Sequence, residues 1–288
     1  MGNPALKLLV VKSVHDYRAW REKLSPGTVG FVPTMGALHE GHMTLVRAAK
    51  KTCDHVVVSI FVNPLQFGPN EDFAKYPRVL EQDLALCEKF GVSAVFHPTV
   101  DVIYPNGQVG ITTVQPPAEL IAGLCGAFRP GHFVGVATVV NNLLNIVRPD
   151  YAFFGEKDYQ QLQVIKHMVG DLNMQVQIVG IPTVRENDGL ALSSRNAYLS
   201  EAQRSLAPKI YGALNATKKA IHTGATVHDA VSLGKSMLTV LDGVTVQYFE
   251  CCDPITLQSV TDPAAPSIVL VAAKYGDVRL IDNLIVNP

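Results

Sequence analysis

Apolar positions along this chain follow two alternating rhythms. Unbroken runs rich in Val, Ile and Phe recur at "GTVGFVPT" (27–34), "HVVVSIFVNP" (55–64), "SAVFHP" (93–98), "YAFFG" (151–155) and "VQIVGIPTV" (176–184). Runs of this length, several of them bounded by Pro or Gly, predict buried strands. Between them apolar residues return every three or four positions over 43–51, 76–91, 135–149 and 158–173, which predicts helices. Gly91 is the expected C-cap of the second helix and Asp158 the expected N-cap of the fourth. This β-α-β-α-β order predicts an α/β fold, a parallel sheet with helices on both faces and ligands at the carboxyl ends of its strands. The rhythm then changes. Two helical stretches within 200–241, parted near "HTGAT" (222–226), precede strand-like runs at 244–250, 267–275 and 277–286. That segment reads as α+β. The shift places a boundary near Pro182 to Glu186 and predicts domains at 1–184 and 185–288.

Composition narrows the class. Hydrophobic residues are 48% and charged residues 17% of 288, enough apolar material for a real core and too little charge for a disordered chain. The 24 basic residues nearly balance the 25 acidic ones, and no dense Lys/Arg block occurs, so no nucleic-acid partner is expected. Five cysteines without CxxC spacing suit a reducing compartment rather than a disulfide framework or a zinc knuckle. The adjacent Cys251 and Cys252 read as strand residues. The N-terminal "MGNPALKLLV" has no signal-peptide pattern, and Leu6 stands where N-myristoylation at Gly2 requires Ser or Thr. No apolar run reaches membrane-spanning length. The expected location is the cytoplasm, with no membrane partner.

The first chemical constellation is "PTMGALHEGHMTLV" (33–46), which follows a predicted strand and opens a predicted helix. Gly36 and Gly41 imitate P-loop spacing, but His42 and Met43 stand where Lys and Ser or Thr are needed. HEGH sets its histidines three apart, so it is not the HExxH of a zinc protease. What remains is a strand-turn-helix unit presenting backbone N–H groups and two imidazoles, a natural phosphate site. Gly41 lets backbone approach an anion without an intervening Cβ. The plainer reading is a turn whose histidines cap the helix. His-x-Gly-His directly after a buried strand favours the phosphate site.

The second constellation is "FGEKDYQQ" (154–161), where a strand hands over to a helix with Lys157 in reach of a phosphate or, equally, as a loop lysine. The third is "GLALSSRNAYLS" (189–200), in which Ser193, Ser194 and Arg195 resemble a clamp for a triphosphate. The same stretch also reads as a loop leading into a helix, with Ser200 and Glu201 at its start.

Together, HxGH after the first strand and a later Lys- or Ser-rich loop resemble the HIGH/KMSKS nucleotidyltransferase superfamily. "VPTMGALHEGH", "VVVSIFVNPLQFGPNEDFAKYPR", "RPGHFVGVATVV", "FGEKDYQQL", "DGLALSSRN" and "RLIDN", in that order from about residue 28 to the C-terminus, resemble the pantothenate synthetase (pantoate–β-alanine ligase) family. The resemblance implies a Rossmann-like domain, a smaller C-terminal α+β lid domain, a homodimer, and Mg²⁺ with ATP as co-substrate. It implies that pantoate and ATP form pantoyl adenylate and pyrophosphate, and that β-alanine then displaces AMP. Carried over by motif, ATP contacts are expected from Met35, Gly36, Ala37, Leu38, His39, Glu40, Gly41 and His42. Further contacts are expected from Gly155, Glu156, Lys157 and Asp158, and from Val184, Leu192, Ser193, Ser194 and Arg195. Catalytic roles fall to His42, His39, Lys157, Ser193, Ser194 and Arg195, with His42 as proton donor. Gln66 would meet pantoate and β-alanine, and Gln161 pantoate. Amides suit this work because they offer both donor and acceptor.

The chemistry of these residues agrees with that reading. An anionic carboxylate must approach an anionic triphosphate in line, so the site has to offset repulsion and position the reactants. No protein nucleophile is needed, and no Ser-His-Asp or Cys-His signature appears. Cys125 stands where related sequences carry Glu, and it is assigned no role. Asp83 reads both as a candidate beside Mg²⁺ and as a solvated helix position, so no metal ligand is assigned. The alternatives are a nucleotidyltransferase acting on a phosphorylated acceptor and a non-catalytic nucleotide-binding module. Against the first stand Gln66, Gln161 and the "LSSRN" wording. The second has no need of His42, Lys157 and Arg195 together.

Overall fold

Strands that are apolar on every position must be covered on both faces, and the centre of this fold obeys that demand. The computed structural model describes residues 8–69, 71 and 73–287. Gly2 and Leu6, read above for lipidation, lie outside the described residues, as do Asn70 and Asp72 of the second motif.

In chain order the first part contains β1 (Leu9–Val11), α1 (Val14–Lys23), β2 (Val29–Thr34), α2 (Glu40–Thr52), β3 (His55–Ile60), a 3-10 turn (Pro64–Gln66), α3 (Leu80–Lys89), β4 (Ala94–Phe96) and α4 (Val100–Ile103). Then come α5 (Ala118–Ile121), α6 (Cys125–Phe128), α7 (His132–Val147), β5 (Tyr151–Gly155), a second 3-10 turn (Glu156–Asp158), α8 (Tyr159–Asp171) and β6 (Gln177–Ile181). A third 3-10 segment (Ser194–Tyr198), α9 (Glu201–Leu206), α10 (Lys209–His222), α11 (Val227–Thr239), β7 (Val244–Cys252), β8 (Ser267–Tyr275) and β9 (Val278–Asn287) complete the described chain.

The first six strands form one sheet in the order β1-β4-β3-β2-β5-β6, parallel throughout. From β2 the chain winds outward through β3 and β4, then returns to pair β5 against the other side of β2. Strand order therefore reverses between β2 and β5, and the crevice outside their carboxyl ends is where such sheets take ligands. Val32, Val46, Val56, Val58, Val95 and Phe153 are fully or almost fully buried in one core. The last three strands form a separate antiparallel sheet, β7-β8-β9, whose core includes Ile210, Leu214, Leu238, Phe249, Val269, Val271 and Tyr275. The parallel sheet with its helices and the small C-terminal α+β segment agree with the predicted fold class.

Two compact units result. One comprises the described part of Met1–Pro116 with Arg129–Glu156 and Val164–Pro182; the other comprises Pro117–Phe128, Lys157–Gln163 and the described part of Thr183–Pro288. The main division falls at Pro182/Thr183, and two inserted segments join the second unit. Side chains there hold them. Gln160 accepts from Cys125 N–H at 2.9 Å and donates to the carbonyls of Leu120 (3.0 Å) and Gly123 (3.1 Å). Gln258 donates to the carbonyl of Glu119 at 3.3 Å.

Several element ends differ from the sequence expectation for local reasons. α3 starts at Leu80 rather than 76, because Pro77 disfavours helical geometry in the residue before it. Asp158 closes a 3-10 turn, Glu156–Asp158, that runs directly into α8 at Tyr159. The 200–241 region holds three helices, with the first ending before Pro208. Ser200 does cap that helix, accepting from Gln203 N–H at 3.3 Å.

Candidate active site

β2 delivers the chain to the carboxyl edge of the sheet at Thr34, and the turn that follows is held from inside the protein. Gly36 and Ala37 have φ of +82° and +50°, and a Cβ at Gly36 would crowd Asp83 and Ile60 at 3.0 and 3.1 Å. Thr34 Oγ1 accepts from Gly36 N–H at 3.1 Å. Asp83, on α3 and only 1% exposed, accepts from Ala37 N–H at 2.9 Å and from Leu38 N–H at 2.7 Å. The solvated reading of Asp83 is thereby corrected: it is buried, and each of its carboxylate oxygens accepts from the loop backbone. Burial pushes its pKa above the usual carboxylate range despite those two bonds.

The two histidines cap α2, and the caps set their chemistry. His39 Nδ1 accepts from Gly41 N–H at 3.1 Å, and His42 Nδ1 accepts from His39 N–H at 3.3 Å. The rings lie 4.1 Å apart between centroids. An imidazole whose Nδ1 accepts carries its proton on Nε2 when neutral. Both rings therefore hold an Nε2–H donor at the N-terminus of a 13-residue helix, the end that favours negative charge. The backbone N–H groups of residues 36–39 and 41 already have acceptors within the loop. These N–H groups are turned into the loop, and the two imidazoles add Nε2–H donors to the same turn.

Gln66 closes the 3-10 turn after β3 and is only 9% exposed. Its Oε1 accepts from Asn63 Nδ2 at 3.1 Å, and its Nε2 donates to Met35 Sδ at 3.1 Å. A thioether is a weak acceptor, so a carboxylate would be a better partner for that N–H. Asn63 is itself fixed, donating to the Gly135 carbonyl at 3.1 Å and accepting from Tyr104 OH at 2.7 Å. α7 can come this near only because residue 135 is glycine, for a Cβ there would lie 2.2 Å from the Leu65 carbonyl oxygen.

The backbone of Gln66 is held as well. Arg129 donates to Glu71 through Nε at 2.8 Å and through Nη2 at 2.5 Å. Burial works against the Glu71 carboxylate, but the Arg129 bonds and charge outweigh it and hold its pKa below the usual range. Arg129 Nη1 lies 2.9 Å from His132 Nε2; arginine can only donate, so Nδ1 of His132 carries the proton and donates to the Gln66 carbonyl at 2.8 Å.

The second unit holds Lys157, Asp158, Gln161, Val184, Leu192, Ser193, Ser194 and Arg195, while Gly155 and Glu156 end a segment of the first. Lys157 sits in the 3-10 turn, its Nζ 3.8 Å from Asp158, and its carbonyl accepts from Asn283 Nδ2 at 3.0 Å. Val184 and Leu192 are brought together, Leu192 N–H donating to the Val184 carbonyl at 2.9 Å, which closes a hairpin-like loop. Arg185 in that loop donates to both oxygens of Asp282 at 2.6 and 2.9 Å and stacks 3.9 Å above the Tyr211 ring. Burial raises the Asp282 pKa against the pull of Arg185. Ser193 caps the third 3-10 segment by accepting from Arg195 N–H at 3.2 Å, and its own O–H remains a donor. Gln161 is half-buried at the start of α8.

A family model described as pantoate-beta-alanine ligase matches residues 9–285. The chain belongs to the pantoate–β-alanine ligase family. A pantothenate synthetase of Magnetococcus marinus is 53% identical over 270 residues, covering 93% of this chain and 92% of that protein. A bifunctional pantoate ligase/cytidylate kinase of Synechococcus elongatus is 51% identical over 268 residues, or 93% of this chain; the chain spans about half (51%) of that relative's length. The crystal structure of pantothenate synthetase from Thermus thermophilus matches with a TM-score of 0.92 and 48% identity, over 97% of this chain and 100% of that one. That of pantoate-beta-alanine ligase from Francisella tularensis, complexed with beta-gamma ATP and β-alanine, matches with a TM-score of 0.80 and 36% identity, over 96% and 97%.

In this pantoate–β-alanine ligase family member, sequence reasoning missed the residues that hold the site rather than line it. Asn63, Gln160, His132 and Asn283 carry ordinary polar side chains in predicted helices, loops or strands, and only their burial reveals them. Cys125, left without a role, lies 3.1 Å from Tyr248 OH and 3.3 Å from Arg279 Nη2. No helix among the described residues is long and apolar enough to cross a membrane.

Proposed function

We propose that this chain is a pantoate–β-alanine ligase that forms AMP. A pantoate carboxylate oxygen attacks the α-phosphorus of ATP; the bond to the β-phosphate oxygen breaks and pyrophosphate leaves. The β-alanine amine, deprotonated, then attacks the acyl carbon of pantoyl adenylate. The acyl–oxygen bond breaks, and pantothenate and AMP are released. The observation that carries this reading is the pair of Nε2–H donors fixed at the N-terminus of α2, beside the point where strand order reverses. Hydrogen-bond donors aimed at phosphate oxygens gain strength as charge develops there. His39, His42 and Lys157 serve the phosphates, with Met35 to His42 and Gly155 to Asp158 around the nucleotide. Val184 and Leu192 to Arg195 complete the ATP contacts. Gln66 and Gln161 take pantoate, and Gln66 also meets β-alanine. The Francisella relative, complexed with beta-gamma ATP and β-alanine, supports this choice of co-substrates.

Among the described residues no group of three or more His, Cys, Asp or Glu side chains is placed to hold a metal. Mg²⁺ enters this reading on the phosphates of ATP, as is usual for that ion, and no step is assigned to it. A cytoplasmic location accords with five unpaired, buried cysteines. The homodimer rests on the family resemblance and is tested by sedimentation.

The deciding experiment supplies ATP, Mg²⁺ and pantoate without β-alanine. Bound pantoyl adenylate and free pyrophosphate are expected, with AMP released when β-alanine is added; ADP would overturn the mechanism in favour of an acyl phosphate. His42→Ala and Lys157→Ala should each slow adenylate formation by roughly 10²–10³, the cost of removing one donor from a developing charge. The β-alanine step, started from pre-formed adenylate, should suffer less. Equal damage to both steps would refute the assigned roles.

A further inference from the structure

We infer that Asn283 is a positioning residue for Lys157, acting through the lysine's backbone. This rests on the functional reading above, in which Lys157 serves the phosphates of ATP. Lys157 lies in a three-residue 3-10 turn. So short a turn makes few backbone bonds of its own, and outside contacts decide its conformation. One such contact is the bond from Asn283 Nδ2 to the Lys157 carbonyl, 3.0 Å long. Fixing that carbonyl fixes the peptide plane and thus the direction in which the side chain leaves the chain. The lysine side chain is long and flexible, so its starting direction governs where the ammonium spends its time.

Asn283 is well placed to do this because it is itself immobilised. It is 7% exposed on β9. Its N–H donates to Asp282 Oδ1 at 2.8 Å, and its carbonyl accepts from Arg185 Nη2 at 3.2 Å. Arg185 and Asp282 form the doubly hydrogen-bonded pair described above, with the guanidinium on the Tyr211 ring. Arg185 also donates to the Gly189 carbonyl at 3.1 Å, across its own loop. The adjacent, buried Asp282 and Asn283 of β9 therefore set two segments at once: the lysine turn through Asn283, and the Val184–Leu192 loop through Asp282 and its partner Arg185. These are two of the segments assigned to ATP, and the "RLIDN" motif, given no role by sequence, is what joins them.

The test compares Asn283→Ala and Asn283→Asp with the wild type and with Lys157→Ala. The aspartate keeps volume and backbone contacts but sets an oxygen against the Lys157 carbonyl, so it decides the matter where the alanine variant does not fold. Pyrophosphate release from ATP and pantoate should slow about 10- to 100-fold, the scale of a misplacement near 1 Å. The KM for pantoate and the β-alanine step from pre-formed adenylate should change little. Combined with Lys157→Ala, either substitution should add almost nothing, because both remove the same interaction. Multiplicative losses in the double variant, or equal slowing of both steps, would overturn the inference while leaving the ligase reading intact. A wild-type protein that releases no pyrophosphate would overturn that reading and this inference with it.

Discussion

Replacing Asp282 by asparagine is the sharpest structural perturbation the fold offers. The carboxylate is 3% exposed and its arginine partner 16%. Burial raises the Asp282 pKa even with Arg185 beside it, so desolvation of this charge is only partly offset by the pair. Such a pair is a modest source of net stability but a costly one to break from one side, at roughly 3–5 kcal/mol, because the remaining charge stays buried. Arg185 would keep the Gly189 and Asn283 carbonyls and the Tyr211 ring, which places the cost near the lower end. About 3 kcal/mol corresponds to a fall of roughly 6–12 °C in the thermal midpoint at 2–4 °C per kcal/mol. Scanning calorimetry at neutral pH measures it directly. Removing both charges with Arg185→Met and Asp282→Leu should recover part of the loss, since no charge is then left without a partner. A midpoint for Asp282→Asn within about 2 °C of the wild type, which is about 0.5–1 kcal/mol and close to the range of ordinary surface changes, would refute this account. So would a double variant less stable than the single one.

Gln161→Leu should weaken the use of pantoate while leaving ATP binding nearly intact, because a site that pairs a substrate's polar groups is left with them unpaired when its own amide is lost. Calorimetric ATP affinity and the pantoate dependence of pyrophosphate release separate the two, and loss of ATP binding alone would put Gln161 in the wrong subsite. Glu71→Gln should cost stability at neutral pH and cost nothing in strong acid. The Glu71 carboxyl titrates below its ordinary value of 4.5 when folded, so its stabilisation is complete above that value and disappears as pH falls through the lower folded one. Thermal midpoints of both proteins should converge as pH falls below 4.5 and through the lower folded value, and a gap that widens on acidification would contradict the sign.

The elements legible in the sequence are those whose burial leaves a pattern. β2, β3 and β5 are apolar runs covered on both faces, and their order announced a parallel sheet. β1 and α1 left weaker traces. β1 has only three residues, and α1 buries Tyr17 alone among ten largely polar positions. Motifs on the carboxyl edge were equally visible, because histidine, lysine and glycine at strand ends are unusual enough to register singly. What escaped was every contact between residues distant in sequence. Nothing near Asp83 shows that it will fold under the backbone of residues 37 and 38, some 45 positions earlier. Nor does "RLIDN" indicate that its asparagine reaches a carbonyl 126 residues away. The second unit gathers Pro117–Phe128 and Lys157–Gln163 through Gln160, whose neighbour Gln161 has the same side chain and a different fate. Spacing along a helix distinguishes these two glutamines only once its buried face is known.

The histidine pair shows why a structural and a chemical reading of one motif need not compete. Seen as caps, His39 and His42 satisfy N–H groups at the start of α2, as Ser or Asp would. Serine or aspartate in those positions would do so with an oxygen and leave little behind to offer a ligand; ionised aspartate would add a negative charge as well. An imidazole divides the work between its two nitrogens. Nδ1 accepts from the helix, that bond settles the tautomer, and the proton is left on Nε2 at the far side of the ring. The ring thus transfers the donor character of a helix N-terminus outward by its own width, with no net charge and with its orientation fixed by the cap. Two rings at 4.1 Å do this side by side. Donors held in this way keep their direction while charge develops on an anion before them, so they favour the more highly charged state.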